Sequence, residues 1–300
     1  MPLPRVAVTG AGGLVGSALM EGLRGEAETL RLVRSGPSGG ERVRWDPADG
    51  SIDAARLDRL DAVVHLAGES IAAGRWSAAR KERIRASRVE GTRLLASALA
   101  GLARPPRALV CASAIGYYGD RGDEPLDESA SRGSGFLADV VASWEAEALK
   151  ARAAGIRVAC LRFGIVLSPR GGALARMLPP FKLGAGGRLG SGRQWMSWIH
   201  IADVVAVIRL ALEREGFSGP VNVVSPEPAR NADFTRALGR ALGRPAVLPA
   251  PAFALRLALG EMAQALLLSS QKVVPGLLRQ AGYSHLFPRL DGALADLLAR

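Results

Sequence analysis

The fold is decided by Arg5–Arg24, RVAVTGAGGLVGSALMEGLR. RVAVTG is a short β-branched run ending in glycine, and LVGSALMEGLR after it carries helical periodicity. Between them Gly10 permits a tight turn, Gly13 lets the backbone approach a diphosphate, and Gly16 lets helix and strand pack closely. Leu14 and Val15 then open a helix whose first N–H groups and positive dipole end face the phosphates. A glycine triplet that follows a strand, opens a helix and heads an α/β pattern reads as a dinucleotide site.

The rest of the chain supplies that pattern. TLRLVRS and RVRWDP read as the second and third strands, and DAVVHLAG (Asp61–Gly68) as the fourth, apolar as expected of a strand buried on both faces. A helix from about Trp76 to Ala103 leads to RALVCAS, the fifth. A helix from about Phe136 to Ala153 leads to IRVACLRFGIVL, the sixth. Alternation of this kind predicts an α/β fold, a Rossmann-type doubly wound parallel sheet over 1–167, with later sheet segments from about 197–225. After Leu167 the chain turns rich in Gly and Pro, which suits a smaller, mainly helical substrate lobe over 168–300. Within it GPVNVVSPE reads as a late strand, NADFTRALGRAL as a helix capped by Asn231, and 244–300 as an Ala/Leu-rich helical module.

Strand 2 ends in LVRSG, where an NAD site usually carries an acid for the ribose hydroxyls. Arg34 and Ser35 stand there instead. A guanidinium makes charge-assisted bonds to a 2′-phosphate that a carboxylate would repel, so the cofactor expected is NADP(H). A plain surface arginine is the alternative.

Composition narrows the classes further. The hydrophobic fraction of 48% is that of a globular protein, and no apolar run reaches bilayer length, so no membrane span is expected. Nothing at the N-terminus suggests secretion, which points to the cytoplasm. The net charge of +11 raises nucleic-acid binding, but the arginines are dispersed. Their densest run, Arg75–Arg88, reads as a solvated helix face, and no nucleic-acid partner is expected. Cys111 and Cys160 lie in strand-like runs and read as buried, reduced thiols. With three scattered histidines, no metal site is expected.

TGAGGLVG, HLAG, SRVEGTRLL and SAIGYYGD together resemble the extended short-chain dehydrogenase/reductases, the superfamily of sugar-nucleotide epimerases and dehydratases. The longer runs HLAGESIAAGRWSAARKERIRASRVEGT, GYYGDRGDEPLDES, GFLADVVASWE and SWIHIADV resemble an atypical, epimerase-like branch with a C-terminal module of unknown function. The resemblance implies that Leu66, Ala67 and Gly68 line the adenine and ribose path. It implies that Ala112 and Ser113 face the nicotinamide, and that Phe163, Gly164 and Ile165 close over its carboxamide. It also implies an unknown small-molecule substrate and a homodimer packed through helices of a sheet face.

The superfamily's chemistry uses a tyrosine and, one turn later, a lysine on one helix face. No Tyr-x-x-x-Lys occurs in this chain. Counting back from WE, the two places fall near Phe136 or Leu137 and near Val140 or Val141. With Trp144 and Ala148 these form an apolar stripe. The remaining catalytic candidates are Ser113, Tyr117 and Glu69. The resemblance implies that Gln194, Trp195 and His200 line the substrate pocket, with Tyr118 beside it. Structural alternatives stand beside several of them: an aromatic wall for the tyrosines, a solvated or arginine-paired role for Glu69, an anchor to a neighbouring strand for His200. Asp123, Glu124, Asp127 and Glu128 read as a solvated acidic loop. Two functions therefore stand side by side: an NADP(H)-dependent, epimerase-like oxidoreductase, and a non-catalytic NADP(H) sensor or assembly factor. RNA association through the basic face is a third.

Overall fold

The computed structural model describes residues 4–299. Its strands are β1 (Arg5–Thr9), β2 (Glu28–Val33), β3 (Arg42–Asp46), β4 (Ser51–Ile52), β5 (Ala62–His65), β6 (Ala108–Ala114) and β7 (Pro125–Leu126). They continue as β8 (Arg157–Phe163), β9 (Ile165–Leu167), β10 (Trp195–Met196), β11 (Trp198–His200), β12 (Gly219–Val223), β13 (Ala229–Arg230) and β14 (Lys272–Val273). The helices are α1 (Leu14–Gly22), α2 (Ala78–Ala100), α3 (Phe136–Leu149), α4 (Gly172–Lys182) and α5 (Ile201–Glu213). After them come α6 (Asn231–Leu242), α7 (Ala252–Leu259), α8 (Glu261–Ala263), α9 (Gly276–Gln280) and α10 (Leu290–Leu298).

Eight strands form one sheet in the order β12-β8-β6-β5-β1-β2-β3-β4, parallel except for the β3–β4 edge. The order reverses at β1, which pairs with β2 on one side and β5 on the other. A crevice therefore opens at the carboxyl ends of β1 and β5, where ligands of open α/β sheets bind. Leu95 and Leu99 of α2 and Trp144 and Ala148 of α3 bury one face of the sheet. Leu19 of α1, Val204 and Ile208 of α5 and Leu278 of α9 bury the other.

A buried polar pin fixes the switch point. Thr9 Oγ1 accepts hydrogen bonds from Leu66 N (3.0 Å) and Ala67 N (3.1 Å), so its own proton goes to His65 Nδ1 at 2.7 Å. His65 is then the neutral Nε2–H tautomer, donating to Thr92 Oγ1 at 3.0 Å. Burial draws its pKa down to about 4, consistent with an uncharged ring.

Several expectations from the sequence need adjustment. The sixth strand breaks at Gly164, where the backbone passes so close to Ser197 that a Cβ would lie 2.6 Å from its carbonyl oxygen. β8 stays in the main sheet while β9 leaves it to pair with β11. Helix α3 tightens into a 3-10 turn over Lys150–Ala154. Asn231 does not cap α6. It is the first helical residue, and its Oδ1 accepts from Leu189 N at 2.7 Å.

The C-terminal module is packed against the rest of the fold. Part of it joins the lobe core, where Leu294 and Leu297 of α10 pack with Leu174, Trp198, Phe234 and Leu238. β14 pairs with β7, and α9 packs on the Rossmann face. The arginine-rich run is likewise less solvated than expected. Arg75 donates to the Leu257 carbonyl (3.2 Å), Lys81 pairs with Glu261 (2.8 Å), and Arg80 donates to the Ser70 carbonyl (2.7 Å). The Arg75 and Lys81 contacts, together with a bond from Arg176 to the Ala72 carbonyl, strap the β5–α2 segment to the lobe.

Candidate functional site

The glycine turn is too tight for side chains at two of its positions. Gly10 has φ +68°, and a Cβ on it would lie 2.8 Å from Leu66 C. A Cβ on Gly16 would lie 2.1 Å from the Gly10 carbonyl oxygen. Gly13 N donates to that same carbonyl at 2.9 Å, and Gly13 forms the N-cap of α1. No side chain caps this helix and no acid stands in its first turn, so the N–H groups around Leu14 and Val15 remain for a ligand. A bare cradle of this shape fits a dinucleotide diphosphate.

At the end of β2, Arg34 and Ser35 are exposed, and the Arg34 guanidinium has no ion-pair or hydrogen-bond partner among the described residues. The Ser35 carbonyl accepts from Arg42 Nη2 at 2.9 Å, which steadies the turn that carries both residues.

The carboxyl end of β6 differs from the sequence expectation. Ser113 is 3% exposed, and its Oγ donates to Glu145 Oε1 at 2.6 Å. Glu145, from α3, is gripped by Arg162 of β8 through Nε (2.8 Å) and Nη2 (2.7 Å). Arg162 Nη1 donates to the Tyr118 hydroxyl at 2.9 Å, which shares its proton between Asn222 Oδ1 (2.8 Å) and the Asp127 carbonyl (3.0 Å). Burial opposes the Arg162 charge, yet the Glu145 bonds hold its pKa above the ordinary guanidinium value. Burial pushes the Tyr118 phenol up to about 12. Ser113 and Tyr118 are thus links in a buried hydrogen-bonded chain across β6, β8 and β12.

Tyr117 remains half-buried and its hydroxyl makes no hydrogen bond among the described residues. The Arg162 guanidinium stacks on its ring at 3.6 Å. Leu137 and Val141 back the neighbouring Gly116, while Phe136 packs edge-on to Trp76 at 5.2 Å. The helix face that would carry the tyrosine and lysine is a hydrocarbon wall.

The other expected residues divide between the crevice rim and the framework. Leu66, Ala67 and Gly68 follow β5 beside the cradle, and Gly68 is exposed. Ala112 is buried in the core of the α2–α3 face. Phe163, Gly164 and Ile165 are partly exposed at the β8–β9 break. Glu69 takes its arginine-paired alternative, 3.5 Å from Arg80. Gln194 is buried and donates to the carbonyls of Leu189 (3.0 Å) and Leu267 (2.9 Å), so it ties segments of the lobe together. His200 is 3% exposed. It caps α5 by accepting from Ala202 N (3.0 Å), stacks on Phe287 and lies 3.3 Å from Asp296, an anchor for α10. Trp195 is half-exposed between Arg230 and Lys272 and donates to Asp123 Oδ1 at 2.7 Å. The acidic loop is therefore partnered: Glu128 also accepts from Asn222 N at 2.9 Å.

Sequence reasoning missed Glu145, Arg162 and Asn222 as a unit. The signal was a lone arginine inside the apolar run VACLRF, which a buried strand tolerates only with a partner.

Residues 6–224 match the NAD dependent epimerase/dehydratase family, and residues 250–297 match a domain of unknown function, DUF1731. The epimerase family protein Mb2239 of Mycobacterium bovis is 46% identical over 298 residues, covering 98% of each chain. Epimerase family protein SDR39U1 of Homo sapiens is 37% identical over 298 residues, covering 98% of this chain and 100% of that one. The crystal structure of human epimerase family protein SDR39U1 (isoform 2) with NADPH superimposes with a TM-score of 0.89 at 36% identity, covering 98% of this chain and 99% of that chain.

Proposed function

Because this chain belongs to the NAD dependent epimerase/dehydratase family, we propose that it binds NADP(H) at the β1–β5 crevice and acts as an epimerase-like oxidoreductase on a small molecule. The observation that carries the reading is the glycine cradle at the uncapped N-terminus of α1. A similar protein crystallised with NADPH supports it, as does the unpartnered Arg34 at the end of β2.

When bound, the nicotinamide supplies or accepts the hydride. The chain's own residues do the rest. Gly10, Gly13 and Gly16 let the backbone of Leu14 and Val15 hold the diphosphate, and Arg34 recognises the 2′-phosphate. Among the three hydroxyls at the end of β6, Tyr117 alone is free to exchange a proton with a substrate oxygen. Phe136 and Leu137 keep water from the neighbouring wall.

Two measurements test this. NADPH and NADH are titrated by cofactor fluorescence against the natural protein and Arg34→Gln. Preference for NADPH that the substitution abolishes is expected, and equal affinities in the natural protein refute the NADP(H) assignment. NADPH consumption is then screened against carbonyl compounds. Tyr117→Phe should slow any turnover by roughly 10²–10⁴-fold, the usual worth of an acid–base group.

A second reading, a non-catalytic NADP(H) sensor or assembly factor, is favoured by the commitment of Ser113 and Tyr118 to the buried chain. Tight NADPH binding without turnover of any carbonyl compound would select it.

A further inference from the structure

The run Ser270–Val273 belongs to the C-terminal stretch that matches a domain of unknown function. It lies between Trp195–Ser197 on one side and the loop that follows β6 on the other. Toward the first, Gln271 N donates to the Trp195 carbonyl (3.2 Å), Ser197 Oγ donates to the Gln271 carbonyl (2.8 Å), and Val273 N donates to Ser197 Oγ (2.9 Å). The Ser197 carbonyl in turn accepts from Ile165 N at 2.8 Å, at the β8–β9 break. Toward the second, Ser270 Oγ donates to the Gly122 carbonyl (2.6 Å), and the Ser270 carbonyl accepts from Arg121 N (3.0 Å).

The Gln271 side chain reaches deeper into that loop. Its Nε2 donates to the carbonyls of Ile115 (3.2 Å) and Gly119 (2.9 Å). Both partners only accept, so the amide presents its NH2 group and spends both protons. The two carbonyls bracket Gly116, Tyr117 and Tyr118 in a single 3-10 turn. From its other flank the turn is held by Gly133 N, which donates to the Tyr117 carbonyl at 3.0 Å. Tyr118 is fixed in addition through its own hydroxyl. The Tyr117 hydroxyl has no such bond, so its direction depends on the backbone of the turn and on the Arg162 guanidinium stacked on its ring. Filling space alone would call for a hydrocarbon at position 271, whereas two directed bonds across a turn set its geometry. We infer that Gln271 is a positioning residue: by spanning the Ile115–Gly119 turn it aims the Tyr117 hydroxyl at the substrate, which makes the C-terminal module part of the reactive unit. The assignment rests on the role proposed above for Tyr117. A reacting group misplaced by about 1 Å loses roughly 10²-fold in rate, so the brace matters to chemistry as well as to folding.

The chain has three tyrosines, so ring-labelled tyrosine gives a simple NMR spectrum in which Tyr117→Phe identifies the Tyr117 signals. Full-length natural protein is compared with Gln271→Leu, Gln271→Asn and Ser270→Ala, at a temperature below the melting transition of all four. NADPH affinity and turnover of any carbonyl compound the natural protein reduces are measured alongside. Gln271→Leu should move the Tyr117 signals, weaken the Tyr117–Arg162 Overhauser contact at least twofold, and lower kcat by roughly 10- to 100-fold. NADPH affinity and substrate KM should stay within threefold. Gln271→Asn keeps an amide without its span and should fall between. Ser270→Ala loses its bonds to Gly122 and Trp195 but none to the turn, and should leave the Tyr117 signals in place and kcat within twofold. Tyr117 signals unmoved in Gln271→Leu overturn the assignment, whether or not a substrate is found. So does an equal movement in Ser270→Ala, an NADPH affinity that falls as far as kcat, or a kcat that survives the moved ring. Full turnover by Tyr117→Phe overturns instead the role of Tyr117, a result separate from whether Gln271 sets its ring.

Discussion

Replacing Glu145 with Gln should destabilise the protein strongly, because the carboxylate sits inside the buried β6–β8–β12 chain. The carboxylate accepts three bonds, from Ser113 Oγ at 2.6 Å and from Arg162 Nε and Nη2 at 2.8 and 2.7 Å. An amide retains one acceptor but turns an NH2 group toward the guanidinium, so at least one charge-assisted bond is lost, worth about 1.5–3 kcal/mol. The remaining Arg162 charge, 3% exposed, also loses its counter-charge. Breaking a buried pair from one side costs about 3–5 kcal/mol. At roughly 2 °C per kcal/mol for a chain of this size, the melting temperature should fall by about 6–10 °C. Arg162→Met should cost a similar amount. The double variant should be far less damaged than the sum, with a coupling of about 2 kcal/mol or more, because it leaves no orphaned charge. Urea unfolding of the four proteins measures the cycle. Single substitutions costing under about 1 kcal/mol, or costs that simply add, would refute the ion pair as the organiser of the β6–β8 end.

Ser113→Ala should lower stability by about 1 kcal/mol, one hydrogen bond, and leave any NADPH turnover within threefold. A hundredfold loss of turnover would show that its hydroxyl reaches substrate after all. Gly16→Ala gains about 1 kcal/mol of helix propensity, but its Cβ, 2.1 Å from the Gly10 oxygen, forces backbone to move at a cost of about 1–3 kcal/mol. NADPH affinity should drop at least tenfold in that variant, whereas Gly12→Ala, with nothing within 4 Å, should change stability by no more than about 0.5 kcal/mol; calorimetry and titration separate the two. His65 has a folded pKa of about 4 against 6.5 unfolded, so its contribution is complete above pH 6.5 and is lost as pH falls toward 4. The loss amounts to about 3 kcal/mol at 1.36 kcal/mol per pH unit. NMR of the ring nitrogens should find the neutral Nε2–H tautomer still present at pH 5, and protonation near pH 6.5 in the folded protein would contradict the Thr9–His65–Thr92 geometry.

The sheet and its crevice were legible in the sequence because local rules fix them. β1, β5, β6 and β8 are predominantly apolar runs and β2 alternates buried apolar with polar residues, so strand periodicity marks the sheet directly. Gly10 and Gly16 announced a turn so crowded that no side chain fits, a constraint set by residues within one supersecondary unit. The missing Tyr-x-x-x-Lys was equally plain, since it depends on spacing along one helix.

What the sequence could not determine is the direction in which each polar side chain at the strand ends points. Ser113 and Tyr118 stand beside Tyr117 in one short run, yet two of the three hydroxyls are drawn inward. Glu145 arrives from α3, 32 residues after Ser113, and Asn222 from β12, 104 residues after Tyr118. Their hydrogen bonds outweigh exposure to water only once α3, β8 and β12 have packed together. Sequence alone set the scaffold and the cradle, through interactions between near neighbours in the chain. Which groups remain free for chemistry was decided by long-range packing, since burial and the partners that make burial tolerable come together only in the tertiary structure.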